Sequence, residues 1–310
     1  MTRIVLTYPD AVWGREPHRV VPDPVHIDDA IAWLVEHHDA EVVTLLLDFG
    51  QGRELEALRD RALAAGAVRA HVLDVADEFA AKFLLPTLKA GALYLDGRPS
   101  TPGLARMACA QKLVEIAAIE QTHVVAHAHG AADHSLTTAV HALDATLTVI
   151  AVPQSVLGSA AAAFQPGTGA GAVAPSEPAT VELTFARGVP NAINGVAMPL
   201  LDLMASLDML RRAPARRADH RANAAVVLHD AHRGLQQSVA ADLEERQTLA
   251  GRYADLVASG AWFSSERHAL AASVDRLEKP ISGTVRLELL NEDCRIVEIK
   301  PDAARKALSR

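Results

Sequence analysis

The chain has 310 residues, half of them hydrophobic, and its mean hydropathy of +0.11 allows a substantial core to form. Its formal net charge of −8 argues against a general nucleic-acid binder, because such proteins need a positive surface to displace phosphate counterions. The sequence predicts a cytoplasmic protein without membrane contacts, for three reasons. Its two cysteines, Cys109 and Cys294, lie far apart, and it has neither a signal-peptide pattern nor an apolar run long enough to span a bilayer.

Short apolar strands alternate with amphipathic helices through the first half of the chain. The predicted strands are residues 3–8, 41–47, 70–73, 123–127 and 147–151, and the predicted helices are residues 27–37, 54–65, 77–90 and 103–120. This alternation indicates βαβ units, and therefore an α/β domain with a parallel twisted sheet and helices on both faces. Ligands of such sheets bind beyond the carboxyl ends of the strands, at the loops that begin here at Pro9, Asp48, Ala128 and Val152.

The second half of the chain begins with a change in composition. Residues 153–179 are rich in Ala, Gly, Ser and Pro and nearly uncharged, which predicts a flexible linker. Beyond it the pattern predicts a strand at 180–185, a helix at 200–210, a short apolar segment at 224–229, a long helix around 235–259, a helix near 266–277 and a closing hairpin at 284–299. The predicted domains are therefore residues 1–152, of nucleotide-binding type, and residues 180–310, a smaller α+β domain.

Several separated stretches resemble the argininosuccinate synthase family, in the order in which that family has them. They are residues 48–56 (Asp-Phe-Gly-Gln-Gly-Arg-Glu-Leu-Glu), 84–94, 104–106 with 112–117, 188–190, 228–233, 262–264 and 283–287. The resemblance covers most of the chain. It implies an adenine-nucleotide alpha-hydrolase-like fold for the first domain, and C-terminal helices that build a homo-oligomer, either a dimer or a tetramer.

The loop after the first strand departs from the family. The family has Ser-Gly-Gly-Leu-Asp-Thr-Ser there, a loop whose backbone N–H groups cradle the phosphates of ATP. This chain instead has a segment that begins Pro9-Asp10-Ala11-Val12-Trp13-Gly14 and runs to Pro24. Because proline lacks an N–H and fixes φ, the segment cannot form the same anion nest. We therefore expect no nucleotide binding at Pro9, Asp10 or Gly14, and no cofactor; ATP and Mg would be needed only if the family activity survives.

Three further family segments are altered. The family's Gly-Lys-Gly-Asn-Asp-Gln-Val-Arg-Phe-Glu loop, which holds the amino-acid substrates, corresponds to residues 127–136, without the lysine, the Asn-Asp pair or the arginine. Its Ser-Arg-Gly-x-Tyr-Glu segment corresponds to residues 211–225, which contain neither Tyr nor Glu, and its Tyr-Pro-Leu-Gly-Thr segment to residues 98–103. Four altered segments predict the loss of the family's way of binding ATP and citrulline.

Five residues near the predicted strand ends remain as candidate ligand contacts: Gln51, Arg106, His127, His129 and Asp133. Arg106 would either bind a carboxylate or form a scaffold salt bridge with Asp48 or Asp133, and the sequence does not separate these roles. The spacing of the histidines matches no common metal site, so no metal is predicted. The sequence identifies no catalytic residue.

Three functions follow from these observations. The first is a degenerate family member, or pseudoenzyme, that keeps the fold and the oligomer and acts as a partner subunit of a true synthase or another pathway enzyme. The second is a repurposed enzyme of specialised metabolism that uses the old cleft for an amino-acid-like substrate. The third is a divergent but active synthase that ligates citrulline and aspartate with ATP and releases AMP and pyrophosphate.

Overall fold

A computed structural model describes most of the chain: residues 2–7, 25–50, 54–95, 98–128, 134–157, 178–211, 224–239, 242–290 and 293–302. The chain divides into two compact units, each made of separate stretches. The first unit is Met1–Phe79, Thr101–Gln165 and Leu256–Ser264, and the second unit is Ala80–Ser100, Pro166–Asp255 and Ser265–Arg310.

None of the described helices has the length and apolar character that crossing a membrane requires.

The first unit is built on a five-stranded, all-parallel sheet of order β3-β2-β1-β6-β7. Its strands are β1 (Thr2–Thr7), β2 (Ala40–Asp48), β3 (Arg69–Asp74), β6 (Val124–His127) and β7 (Thr148–Ala151). Its helices are α1 (Val25–His38), α2 (Glu54–Ala64), α3 (Ala76–Phe79), α5 (Thr101–Ile119), α6 (Ser135–Leu143) and α7 (Gln154–Leu157). The predicted α/β class and parallel sheet are confirmed.

The central strands have mainly apolar middle residues because helices cover both faces of the sheet. In β1, Ile4 and Leu6 pack into the core that α1 and α2 close, and Val5 between them is fully buried on the opposite face. Ile31 and Leu34 of α1 complete the first core at the i, i+3 spacing of one helix face. Burial on both sides therefore explains the continuous apolar runs in the sequence.

The predicted helix at residues 77–90 is wrong as a single helix. Helix α3 passes at Ala80–Leu84 into a π-helical turn, and α4 (Leu85–Lys89) follows. Pro86 lies in the first turn of α4, where its missing N–H and its ring are incompatible with a continuous α-helix from residue 77. The irregular turn begins at Ala80, where the chain leaves the first unit and enters the second.

The second unit contains a five-stranded antiparallel sheet of order β10-β9-β8-β11-β12 and a two-stranded sheet, β4-β5. The strands are β4 (Tyr94–Leu95), β5 (Arg98–Pro99), β8 (Ala179–Ala186), β9 (Val189–Ile193), β10 (Val196–Ala197), β11 (Gly283–Leu290) and β12 (Asp293–Pro301). Strands β11 and β12 form the predicted closing hairpin.

The predicted long helix around residues 235–259 is also wrong. The structure has two helices there, α9 (Ala224–Val239) and α10 (Leu243–Ser259), besides α8 (Leu200–Arg211) and α11 (Ser265–Glu278). Asp242 precedes α10, where its carbonyl accepts a hydrogen bond from the Arg246 N–H and its carboxylate accepts one from Arg246 Nε. An acidic residue at this position starts a new helix rather than continuing the previous one.

Residues 153–179 were predicted as a linker. Within them, Gln154–Leu157 form α7, and residues 158–177 lie outside the described residues. Strands β9 and β10 are absent from the sequence prediction. They form a hairpin around Asn194 and Gly195, whose φ angles of 49° and 77° are those of a two-residue turn that favours Asn-Gly. The Asn-Gly pair was therefore the signal for this hairpin.

Candidate functional site

The candidate site lies where the strand order of the parallel sheet reverses, between β1 and β6. Thr7, the last residue of β1, is paired in register with His127, the last residue of β6. The Ala128 N–H donates a hydrogen bond to the Thr7 carbonyl over 3.0 Å, so the two strands end side by side. Sheets of this kind bind ligands at such a reversal point, beyond the carboxyl ends of the strands.

Arg106 reaches this region from helix α5. Its Nε donates a hydrogen bond of 3.0 Å to Oγ of Ser135, the first residue of α6. Ser135 is buried, and Arg106 is half-buried. The sequence analysis named Asp48 and Asp133 as possible salt-bridge partners of Arg106. Asp133 lies outside the described residues, and Asp48 accepts a hydrogen bond from the Gly50 N–H over 2.7 Å.

His127 reaches the same helix turn from the sheet. It is fully buried, and its Nε2 lies 3.2 Å from Oγ1 of Thr137, which is in the first turn of α6. Two of the predicted site residues, Arg106 and His127, are therefore brought to hydroxyl groups two positions apart on one helix. The other three, Gln51, His129 and Asp133, lie outside the described residues.

Cys109 completes the polar groups at this end of the sheet. Its thiol is hydrogen-bonded to Thr7, and burial raises its pKa to about 12, although the Thr7 hydrogen bond and the Arg106 charge act in the opposite direction. A thiol with such a pKa is neutral at physiological pH and is not a nucleophile. We call the group formed by these side chains the crevice cluster; its members are Thr7, Arg106, Cys109, His127, Ser135 and Thr137.

The neighbouring strand end is fixed by packing. Phe49, which follows β2, is buried with its ring edge-on to that of Phe79, the two ring centroids lying 4.7 Å apart. Gly50 follows with a φ of 108°. The chain turns sharply at this glycine, and the buried ring of Phe49 holds the turn against the core of the first unit.

The chemistry available to the crevice cluster is limited. A neutral thiol, a buried imidazole on a threonine hydroxyl and a guanidinium on a serine hydroxyl supply neither an activated nucleophile nor an ordered row of backbone donors. Among the residues that the structure describes, no three His, Cys, Asp or Glu side chains are grouped to hold a metal ion.

Sequence reasoning missed four members of the crevice cluster: Thr7, Cys109, Ser135 and Thr137. Two local signals were available. Thr7 is the polar residue that ends the first apolar strand, and Ser135 begins the helix that follows β6. Neither signal indicates a partner, because the partners come from other elements of the sheet and its helices.

This strand order, with buried polar side chains at its reversal point, defines a doubly wound α/β protein. Residues 25–160 match the family model described as the arginosuccinate synthase N-terminal HUP domain, and residues 215–304 match that of the arginosuccinate synthase C-terminal domain. The chain belongs to the argininosuccinate synthase family. The N-terminal match begins at residue 25, directly after the segment of residues 9–24.

Curated relatives named argininosuccinate synthase align with most of the chain. The relative from Desulforamulus reducens is 31% identical over an alignment of 327 positions, which covers 84% of this chain and 81% of the relative. That of Pelotomaculum thermopropionicum is 31% identical and covers 87% and 84% of the two chains, and that of Chlorobium chlorochromatii is 28% identical and covers 84% and 82%.

Proposed function

We propose that this protein is a degenerate member of its family that has lost the ATP-dependent ligation of citrulline to aspartate. It keeps the family fold and acts in the cytoplasm as part of a homo-oligomer, or as a partner subunit of a true synthase. The observation that carries the proposal is the replacement of the family's phosphate loop by residues 9–24, in which Pro9, Pro17, Pro22 and Pro24 have no N–H to donate.

The described residues next to that loop support the proposal. A triphosphate needs backbone or cationic donors at the end of β1. There, Thr7 hydrogen-bonds the Cys109 thiol and Arg106 donates through Nε to Ser135, so neither side chain replaces the row of backbone N–H donors that the family's phosphate loop supplies.

The altered substrate loop supports the proposal independently. The zwitterionic substrates of the family need charge-assisted hydrogen bonds, which are roughly twice as strong as neutral ones. Residues 127–136, which correspond to the family's substrate loop, keep one carboxylate, Asp133, but contain no lysine, no Asn-Asp pair and no arginine. A chain that had lost the phosphate loop alone would be expected to keep these contacts.

The first test is calorimetric titration of the full chain with Mg-ATP, alone and then with citrulline and aspartate present, alongside a pyrophosphate-release assay. We expect neither saturable binding nor pyrophosphate release, because the donors for the phosphates are missing. The Desulforamulus reducens relative, run under the same conditions, is the positive control. Binding with turnover would overturn the proposal and assign a divergent active synthase.

A loop graft sharpens this test. Residues 9–24 are replaced by the family's Ser-Gly-Gly-Leu-Asp-Thr-Ser, and the variant is titrated with Mg-ATP. We expect the graft to regain nucleotide binding but not ligation, since the substrate loop remains altered. Regained ligation would contradict the argument from residues 127–136. Binding of an amino acid that Arg106→Gln abolishes, without ATP, would favour the repurposed enzyme instead.

A further inference from the structure

A cavity in the second unit is lined by three cationic side chains and one carboxylate. Its volume is about 400 Å³, and its lining residues are Lys89, Ala186, Arg187, Val189, Asp275 and Lys279. Three cations face one carboxylate, so the cavity carries an excess of two positive charges in a chain whose net charge is −8. A concave cationic surface on an acidic protein raises the local concentration of anions.

The excess charge belongs to two of the three cations. Lys89 forms an ion pair with Asp275, which neutralises both. Among the described residues, no carboxylate lies within ion-pairing distance of Arg187 or Lys279. These two side chains therefore remain as donors for a ligand from solution.

Arg187 is held on a rigid turn between β8 and β9. Its φ of 53° lies in the left-handed region, which is unfavourable for a residue with a side chain. Two hydrogen bonds from the turn hold it there: the Arg187 N–H donates to Ser282 Oγ over 2.9 Å, and the Gly188 N–H donates to the Ile281 carbonyl over 2.7 Å. The backbone of Arg187 is therefore fixed before any ligand binds.

Lys279 is placed by the same buried structure. It follows Glu278, which is 1% exposed and accepts hydrogen bonds from His232 Nε2 at 2.7 Å, Gln236 Nε2 at 2.9 Å and Arg246 Nη1 at 2.5 Å. Burial opposes ionisation of Glu278, but these partners hold its pKa below the ordinary value, so it remains a carboxylate.

Gly188 connects the turn to this carboxylate. A Cβ at Gly188 would lie 2.1 Å from Oε2 of Glu278, so only glycine allows the close approach. The turn that carries Arg187 and the helix end that carries Lys279 therefore rest on one buried anion. A fixed backbone beneath each of the two charges reduces the conformational freedom that is lost when a ligand binds.

We propose that this cavity is a binding site for a small oxyanion, a phosphate ester or a carboxylate, held by Arg187 and Lys279. The planar guanidinium of Arg187 suits two oxygens of one anion, and the Lys279 ammonium adds a compact point charge. The site is separate from the crevice cluster, and it does not depend on whether the family reaction is lost.

The test is titration of the full chain with inorganic phosphate at constant ionic strength, with malonate as a second arm. The test variant is Arg187→Asn/Lys279→Gln, because asparagine tolerates the left-handed backbone of the turn. The control is Arg276→Gln/Lys300→Gln, which also removes two exposed positive charges but none from the cavity lining. We expect saturable binding that the test variant weakens at least about tenfold and the control leaves unchanged.

The outcomes separate the alternatives. Tighter phosphate binding assigns a phosphate ester, and tighter malonate binding assigns a dicarboxylate. Absence of saturable binding, or equal weakening in both double variants, overturns the proposal. Thermal unfolding verifies that each variant is folded, and Lys279→Gln alone replaces the double variant if that one unfolds. The test variant also shows whether any Mg-ATP binding occurs in this cavity rather than at the end of β1.

Discussion

The buried residue His229 contributes to the pH response of the second unit. His229 is 3% exposed, its Nδ1 has no hydrogen-bond partner within the described part of the chain, and its ring lies edge-on to Tyr94 at 6.4 Å. Burial, followed by the charges of His232 and Arg233, lowers its pKa from 6.5 to about 4. The folded protein therefore keeps this imidazole neutral in a range in which the unfolded chain is protonated.

We predict that His229 makes the folded protein less stable as the pH decreases. Since its folded-state pKa is the lower one, its contribution is complete above about pH 6.5 and is lost as pH falls to about 4. Between about pH 7.5 and about pH 5, the free energy of unfolding should fall about 2 kcal/mol more in the wild type than in His229→Phe. Urea denaturation measures this difference. The exposed-histidine variant His141→Gln is the control, and an equal slope in His229→Phe would contradict the prediction.

At the scale of secondary-structure elements, the turns hold the antiparallel sheet in register. The β9–β10 turn uses Asn194 and Gly195 with positive φ angles, which match the twist of the two strands. Asn194 is also tied to β8, where its N–H donates to the Glu182 carbonyl and its Oδ1 accepts from the Glu182 N–H, both over 2.8 Å. The short edge strand β10 depends on this turn.

Replacing glycine by alanine should have opposite effects on the stability of the fold at two positions, Gly195 and Gly251. A Cβ would meet no atom within 4 Å at Gly195 or at Gly251, so only the backbone distinguishes them. Gly195 has a φ of 77°, so Gly195→Ala should lower the free energy of unfolding by about 1 kcal/mol. Gly251 lies inside α10, where Gly251→Ala should stabilise by roughly 0.5 kcal/mol. Urea denaturation of both variants checks the signs, and a loss at both sites would refute the backbone explanation.

At the scale of the whole molecule, the proposed assembly makes a direct prediction. Size-exclusion chromatography with light scattering should give a dimer or a tetramer of the 33.0 kDa chain. Trp262, in a segment that resembles the family, is 2% exposed within the single chain, so it already contributes to the core of the first unit. A mass of one chain at micromolar concentration would contradict the homo-oligomer and leave only a partner subunit.

The fold was largely predictable because its signals are local. Apolar runs separated by amphipathic helices gave the parallel sheet, and alternating residues near the C-terminus gave the β11–β12 hairpin. The errors occurred where one residue changes a regular pattern: Pro86 divides a helix, and Asp242 starts a new one. Both are breaker or capping signals that weigh more than the apolar periodicity around them.

By itself, the sequence determined the class of fold and the family resemblance, because these depend on residue types along short stretches. Only the tertiary structure decided which side chains meet. Arg106 contacts Ser135, 29 residues away, and His232 contacts Glu278, 46 residues away. Such contacts depend on how the elements pack, which local propensity does not encode, and the cavity at Arg187 and Lys279 exists for the same reason.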